Sequence, residues 1–384
     1  MNRAMQHIDR YALPVGGIAA ILCVILAIIP WFRASFFNAW LFAWLFWLAI
    51  SLGGMALSMM HVLTGGGWGV LIRPIGNAAA RVLPLMFLLF IPVLFGMRIL
   101  FPWAQPVETL DPILRHAHRY LNPSLFIIRW IVYFAIWIGL SWVMMNSSSE
   151  TWRARASAAG LVLYVITISL AGVDWIMSRQ AHWVSSVFGF ILSCAQTLTA
   201  LCFIIVVLHR RIRTHPAVAA FAKPKHFVDL GNMVLMMVIL WAYMNFAQYL
   251  ITWTGNEVAD IGWYVQRSYR GWRVIAGIII YIHFLVPLIL LLQRPLKANL
   301  DRLATIAVAL LGLRILDLYW NVGPQRLVGP HSGFVLSPLD ILAWIGIGGL
   351  WYAVFSRALA RMPDLIFAGE TDGAWAAKTE PHVA

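Results

Sequence analysis

Asp174, Asp317, Arg129, Arg314, His61 and His283 are the residues of this chain best suited to holding charge or moving protons, and all lie in long apolar stretches. Desolvation disfavours the charged form of a carboxyl held without a partner in hydrocarbon, so such a group can take up and give up protons. Ionisable residues at membrane depth are costly and mark function by default. Their spacing repeats. Asp174 with Trp175 closes the fifth apolar stretch, and Asp317 with Trp320 closes the ninth. Arg129 opens the fourth and Arg273 the eighth; His61 ends the second and His209 the sixth. The offsets are 143, 144 and 148 residues. Matching polar positions in two halves imply two related bundles, with four spans per half making the repeat parallel rather than inverted.

Asp174 is the first choice for a proton relay; alternatively it pairs with Arg129 across the bundle. Arg314 and Asp317 are spaced i, i+3 on one helix face, which suits a buried ion pair. His61 and Asp229 stand at the other side. Histidine is a natural proton-entry group, because its unperturbed pKa is near 6.5. Either residue can instead be a helix-end group facing lipid headgroups or complementing the helix dipole. Tyr164 and His283, with Thr167, Ser193, Gln196, Thr199, Asn245 and Gln248, stand between the two layers. They can line a water-filled path or bond neighbouring helices together. Asp340, at the start of the last stretch, completes the proton-path candidates.

The elements that must carry these groups follow from composition. The chain has 384 residues, 61% hydrophobic and 11% charged, with mean hydropathy +0.80. A soluble domain carries roughly 25% charged residues. A membrane-spanning helix needs about 20 mostly apolar residues. Ten such stretches are expected at 12–33, 36–62, 82–101, 124–145, 156–177, 183–208, 227–252, 271–293, 301–320 and 335–358. They must be helical because lipid offers backbone N–H and C=O groups no partner. The expected fold is an all-α integral membrane protein in one membrane domain, 1–384. It divides into a first four-helix bundle (36–177), a second (183–320) and two peripheral helices (12–33 and 335–358). The first stretch is read as a retained helix, since its apolar run exceeds a signal peptide's core of about 7–15 residues.

The net charge of +13 does not call for nucleic acid. Basic residues divide by side, 17 on the segments sharing the termini against 9 on the others, which puts both termini in the cytoplasm. The loop HRRIRTHP…KPK carries the strongest bias and also suits anionic lipid. Long outer loops at 102–123 and 253–270 mix aromatic, acidic and basic residues, as an interfacial belt or a docking surface would. The glycines of LTGGGWGVLIRP form no phosphate-binding fingerprint and read as a flexible re-entrant turn. Cys23, Cys194 and Cys202 are scattered in apolar stretches, with no CxxCH and no cysteine cluster. His283 is the single histidine near a span centre, which argues against a haem held by paired histidines.

Several segments resemble a known family when taken in order. GGGWGVLIRPIGNAAARVLPLMFLLFIPVLFG, DPILRHAHRYLNPSLFIIRWIVYFAIW, AGVDWIMSRQAHWVSSVFG, DLGNMVLMMVILWAYMNFAQYLITWTGNEVADIGWYVQR and RILDLYW extend over most of the chain. They are similar to the smaller of the two polysulfide-reductase-type (NrfD-like) membrane subunits of alternative complex III, a bacterial quinol:cytochrome c oxidoreductase. The resemblance implies ten helices in two four-helix bundles and a place in the bacterial inner membrane. It also implies a larger homologous membrane subunit, with multihaem cytochrome c and iron–sulfur subunits as further partners. The larger subunit would carry quinol oxidation. The smaller would hold no redox centre and would contribute a proton route or a second quinone site. The family usually has an acidic residue where Asn77 stands and another where Gln180 stands. Both positions are expected near loops, and their loss weakens a surface proton collector; Asp174, Asp229 and Asp317 remain.

Two other readings compete. A stand-alone ion or solute transporter would show discontinuous helices around a midplane site, for which Pro287 is the main sequence candidate. A purely structural membrane anchor would need no titratable group.

Overall fold

The computed structural model describes residues 3–147, 149–180, 183–256, 258–269, 271–326 and 333–367. Arg270 and Lys378, which entered the charge balance, lie outside the described residues. The protein is an all-α integral membrane protein, with no strand among the described residues. Among the described residues ten helices are long and apolar enough to cross a membrane: α1 Arg3–Ile28, α2 Pro30–Thr64, α3 Gly67–Phe95, α4 Pro123–Asn146 and α5 Glu150–Trp175. They continue as α6 Phe188–Thr214, α7 Pro224–Gly255, α8 Trp272–Leu292, α9 Leu300–Val322 and α10 Pro338–Leu359.

Local chemistry sets the helix starts. Asn122 accepts from the Leu125 N–H at 2.9 Å ahead of Pro123. Ser149 caps α5 and Asn299 caps α9 in the same way. Such caps satisfy donors that the first turn leaves free.

The third span differs from the sequence expectation. It begins at Gly67, not near residue 82, because the glycine run is a tight turn rather than a re-entrant loop. Gly65 and Gly66 have φ of +66° and +97°, values that side chains rarely adopt, and these two residues alone reverse the chain between α2 and α3. Arg73 and Asn77 are therefore buried within a helix. Asn77 is not near a loop as expected. The span is interrupted at 81–82 and 89–90, just ahead of Pro84 and Pro92.

The spans α2 to α5 pack among themselves, as do α6 to α9. The seam between them is α2 against α6. All of the apolar window of α2 is buried. The two backbones approach closely at Gly53, where a side chain would meet the Gln196 carbonyl oxygen at 2.3 Å. Small residues permit such approaches between membrane helices. The tenth span packs on α2 and α1 packs chiefly on α10. The start of α1 and the end of α10 mark one end of the molecule, the terminal face; the opposite end is the loop face.

A lateral aromatic pocket and the buried ion pairs

The first bundle builds its charge site from α4 and α5 on the loop-face side. Asp174 is fully buried. Arg129 grips both of its oxygens, Nε to Oδ2 at 2.9 Å and Nη2 to Oδ1 at 2.7 Å. Tyr133 adds its hydroxyl to Oδ2 at 2.9 Å. Arg129 also donates to the Tyr120 carbonyl at 2.8 Å and lies 3.8 Å above the Tyr120 ring. A bidentate, charge-assisted arrangement of this kind is strong and geometrically defined. It can hold Asp174 ionised and the two helices in register.

The second bundle pairs its charge along one helix. Arg314 donates from Nη1 to Asp317 Oδ2 at 2.6 Å, and from Nε to Thr199 Oγ1 on α6 at 3.2 Å. Asp317 differs from Asp174 in its surroundings. It stands in the wall of a cavity of about 990 Å³.

That cavity is formed by α6, α7, the short helix Val258–Gln266, α8 and α9. It opens sideways between α7 and α8. Tyr243 and Phe246 on one side and Ile280 on the other line it and are more than half exposed. Its inner wall is aromatic. Trp183 stacks on Trp263 at 4.7 Å between centroids and 15° between planes, and Trp320 meets Trp263 edge-on at 5.0 Å. Arg267 lies 3.6 Å over the Trp263 ring. It donates to the Trp263, Trp320 and Asn321 carbonyls at 2.9, 2.9 and 2.8 Å. Burial pulls its pKa well down; three carbonyl acceptors and an aromatic face are what favour the cation. Trp263 and Arg267 are four residues apart, so one turn of helix brings them together.

The indole N–H groups of Trp183, Trp241, Trp263 and Trp320 are buried and have no hydrogen-bond partner among the described residues. All four tryptophans line the cavity. Arg273 adds an exposed guanidinium at its edge. Gln248 is engaged elsewhere, accepting from Ser185 and donating to Thr252 Oγ1 at 3.4 Å. Buried donors without partners are costly, and the lining also carries acceptors on Asp317, Asn245 and Asn321.

The remaining candidates are spread through the fold. Tyr164 donates to Gln196 Oε1 at 2.9 Å and ties α5 to α6 across the seam. His61 is buried at the end of α2, with Nε2 3.2 Å from the Gly66 carbonyl oxygen and its ring against Trp68. Asp229 lies half-buried in the early turns of α7 on the same terminal face. No hydrogen bond joins the two among the described residues. Asp340 closes a capping box with Ser337, accepting from its backbone N–H at 2.9 Å, and receives the Tyr319 hydroxyl at 3.3 Å. His283 is fully buried in α8 and has no partner on either ring nitrogen among the described residues.

Sequence reasoning assigned no role to Arg267 or to the tryptophan wall. The i, i+4 spacing of Trp263 and Arg267 was a signal, but Trp183 and Trp320 come from distant segments. Gln180 follows the end of α5, near a loop as expected, and its Oε1 is buried without a partner among the described residues. No group of three or more His, Cys, Asp or Glu residues is arranged to hold a metal among the described residues. No protein-family model matches the chain, and no curated protein is detectably similar to it.

Proposed function

We propose that the chain is a membrane subunit of a bacterial quinol:acceptor oxidoreductase of the alternative complex III type, and that the lateral pocket is its quinone-adjacent site. One observation carries the reading: four tryptophan side chains and the exposed Arg273 line an aromatic cavity whose edge residues Tyr243, Phe246 and Ile280 are also exposed. A quinone is flat, carries carbonyl acceptors and enters from the bilayer on an apolar tail. Aromatic faces suit its ring. The exposed Arg273 guanidinium suits its oxygens as a charged donor at the cavity edge. Ligand sites between bundle helices are commonly apolar with a few convergent polar groups.

In this reading the subunit sits in the inner membrane with both termini cytoplasmic. It binds no redox centre of its own and docks against a larger homologous membrane subunit. Multihaem cytochrome c and iron–sulfur subunits supply the electron path. The segments resembling the NrfD-like family support these assignments. The buried acids and histidines supply groups for a proton route.

Native purification followed by mass spectrometry tests the complex. Haem and iron–sulfur subunits should accompany the chain. A homogeneous single-subunit preparation that transports a solute would support a transporter instead. Quinone binding is measured by quenching of tryptophan fluorescence in nanodiscs. Quenching should saturate in the wild type and weaken about tenfold in Trp263→Leu, the loss expected for about 1.4 kcal/mol. Equal affinity in the two proteins would remove the pocket from the reading.

A further inference from the structure

His283 is the least explained group in the molecule. It lies in the middle of α8, with no exposed surface and both ring nitrogens without partners among the described residues. The helix changes form around it. Residues Ile279–Leu285 are a π-helix, and the Val286 N–H bonds to the Tyr281 carbonyl, five residues back. The cause is local. Pro287 has no N–H to offer the His283 carbonyl four residues earlier, so the ladder shifts by one. Such turns widen a helix and concentrate at functional sites.

One neighbour of the ring carries an unused donor. From α7, Trp241 meets the ring edge-on, with centroids 4.4 Å apart. The indole N–H of Trp241 is itself buried without a partner among the described residues. From α9, the Arg314 guanidinium carbon lies 5.9 Å from the Trp241 ring centroid, on the Arg314–Asp317 pair. Trp241 and Asp317 both line the lateral pocket. A fully buried imidazole thus lies against an indole at a widened turn, with a guanidinium near that indole, next to the pocket wall. Buried polar groups left over by protein partners are satisfied by ordered water, which needs two to four such groups around it.

We propose that the π-helical turn of α8 holds ordered water against His283, and that this water lets the imidazole exchange a proton with Asp317 at the pocket wall. The step is a proton transfer alone. The O–H bond of a protonated Asp317 breaks, an N–H bond forms on the free ring nitrogen of His283, and the Arg314–Asp317 ion pair is restored. No electron moves, and the net charge of the three groups is unchanged. The hydrated site depends on this chain's residues only; its service to a quinone rests on the proposed role of the pocket.

The test uses the full chain in lipid nanodiscs with 15N-labelled histidine. The His283 ring signals are assigned by their loss in His283→Asn. In the wild type these signals should correlate with water protons and should shift in Asp317→Asn. A ring with no water contact, or one unmoved by Asp317→Asn, overturns the proposal. If His283→Asn fails to fold, replacing the other ten histidines in groups assigns the His283 signals as those that remain. Fluorescence quenching by quinone is measured on the same samples. A hydrated, Asp317-coupled ring without quinone binding leaves this proposal standing and removes the quinone reading. Quinone binding with a dry ring does the opposite.

Discussion

Arg129 and Asp174 form a two-pronged ion pair in the interior of the first bundle, with contacts of 2.9 and 2.7 Å, whereas Arg314 and Asp317 share a single prong of 2.6 Å. The difference assigns different work to two acids at matching sequence offsets. Every Asp174 oxygen is occupied by Arg129 or Tyr133. Asp317 lies against a cavity.

Asp174→Asn should destabilise the protein, because it leaves a part-buried guanidinium without its counter-charge. Losing one member of a buried pair costs about 3–5 kcal/mol. The double variant Arg129→Gln/Asp174→Asn should recover part of that loss. Thermal unfolding in detergent decides the matter: a single variant as stable as the wild type would leave the pair without a structural role.

For Arg314 and Asp317 the same cycle should give a coupling energy of roughly 0.5–3 kcal/mol. Arg314→Ala and Asp317→Ala should each cost more than the two together. Additive losses would mean that Thr199, not Asp317, is the partner that matters to Arg314.

Arg267→Lys keeps a charge but loses the planar fork. An ammonium has three donors, yet it cannot reach three carbonyls in the guanidinium's geometry while stacking on Trp263. Stability should fall by about 1–3 kcal/mol, and quinone quenching should weaken with it. An unchanged melting temperature would argue against the carbonyl cluster as a prop of the pocket wall.

Gly53→Ala tests the seam. A methyl group there would lie 2.3 Å from the Gln196 carbonyl oxygen, so one backbone must move. Overpacking of this kind costs about 1–3 kcal/mol. A crosslink between α2 and α6, introduced away from the site, should form more slowly in the variant. Wild-type crosslinking and stability would show that the seam can yield.

Reporter fusions after Ala384 and within 211–225 should both report cytoplasm, since the basic residues favour that side. A periplasmic signal from either would reverse the orientation used in the proposal.

Much of the architecture was legible in the chain. Ten apolar stretches had to be helices of membrane length, because hydrocarbon leaves backbone groups no other partners. The Arg314–Asp317 contact followed from helical spacing, and Arg129 stood as the alternative partner for Asp174. The start of α3 was not legible from hydropathy. Arg73, Asn77 and the glycines looked like loop, yet two glycines at positive φ are enough to reverse the chain and bury Arg73 and Asn77 in the next helix. The pocket could come only from the tertiary structure. Its wall joins Trp183, Trp241, Trp263 and Trp320, which no periodicity relates. A tryptophan in an apolar stretch has the same sequence signature whether its N–H is bonded or not. Packing decides which indoles are left without acceptors, and it also puts Asp317 at a cavity while closing Arg129 around Asp174.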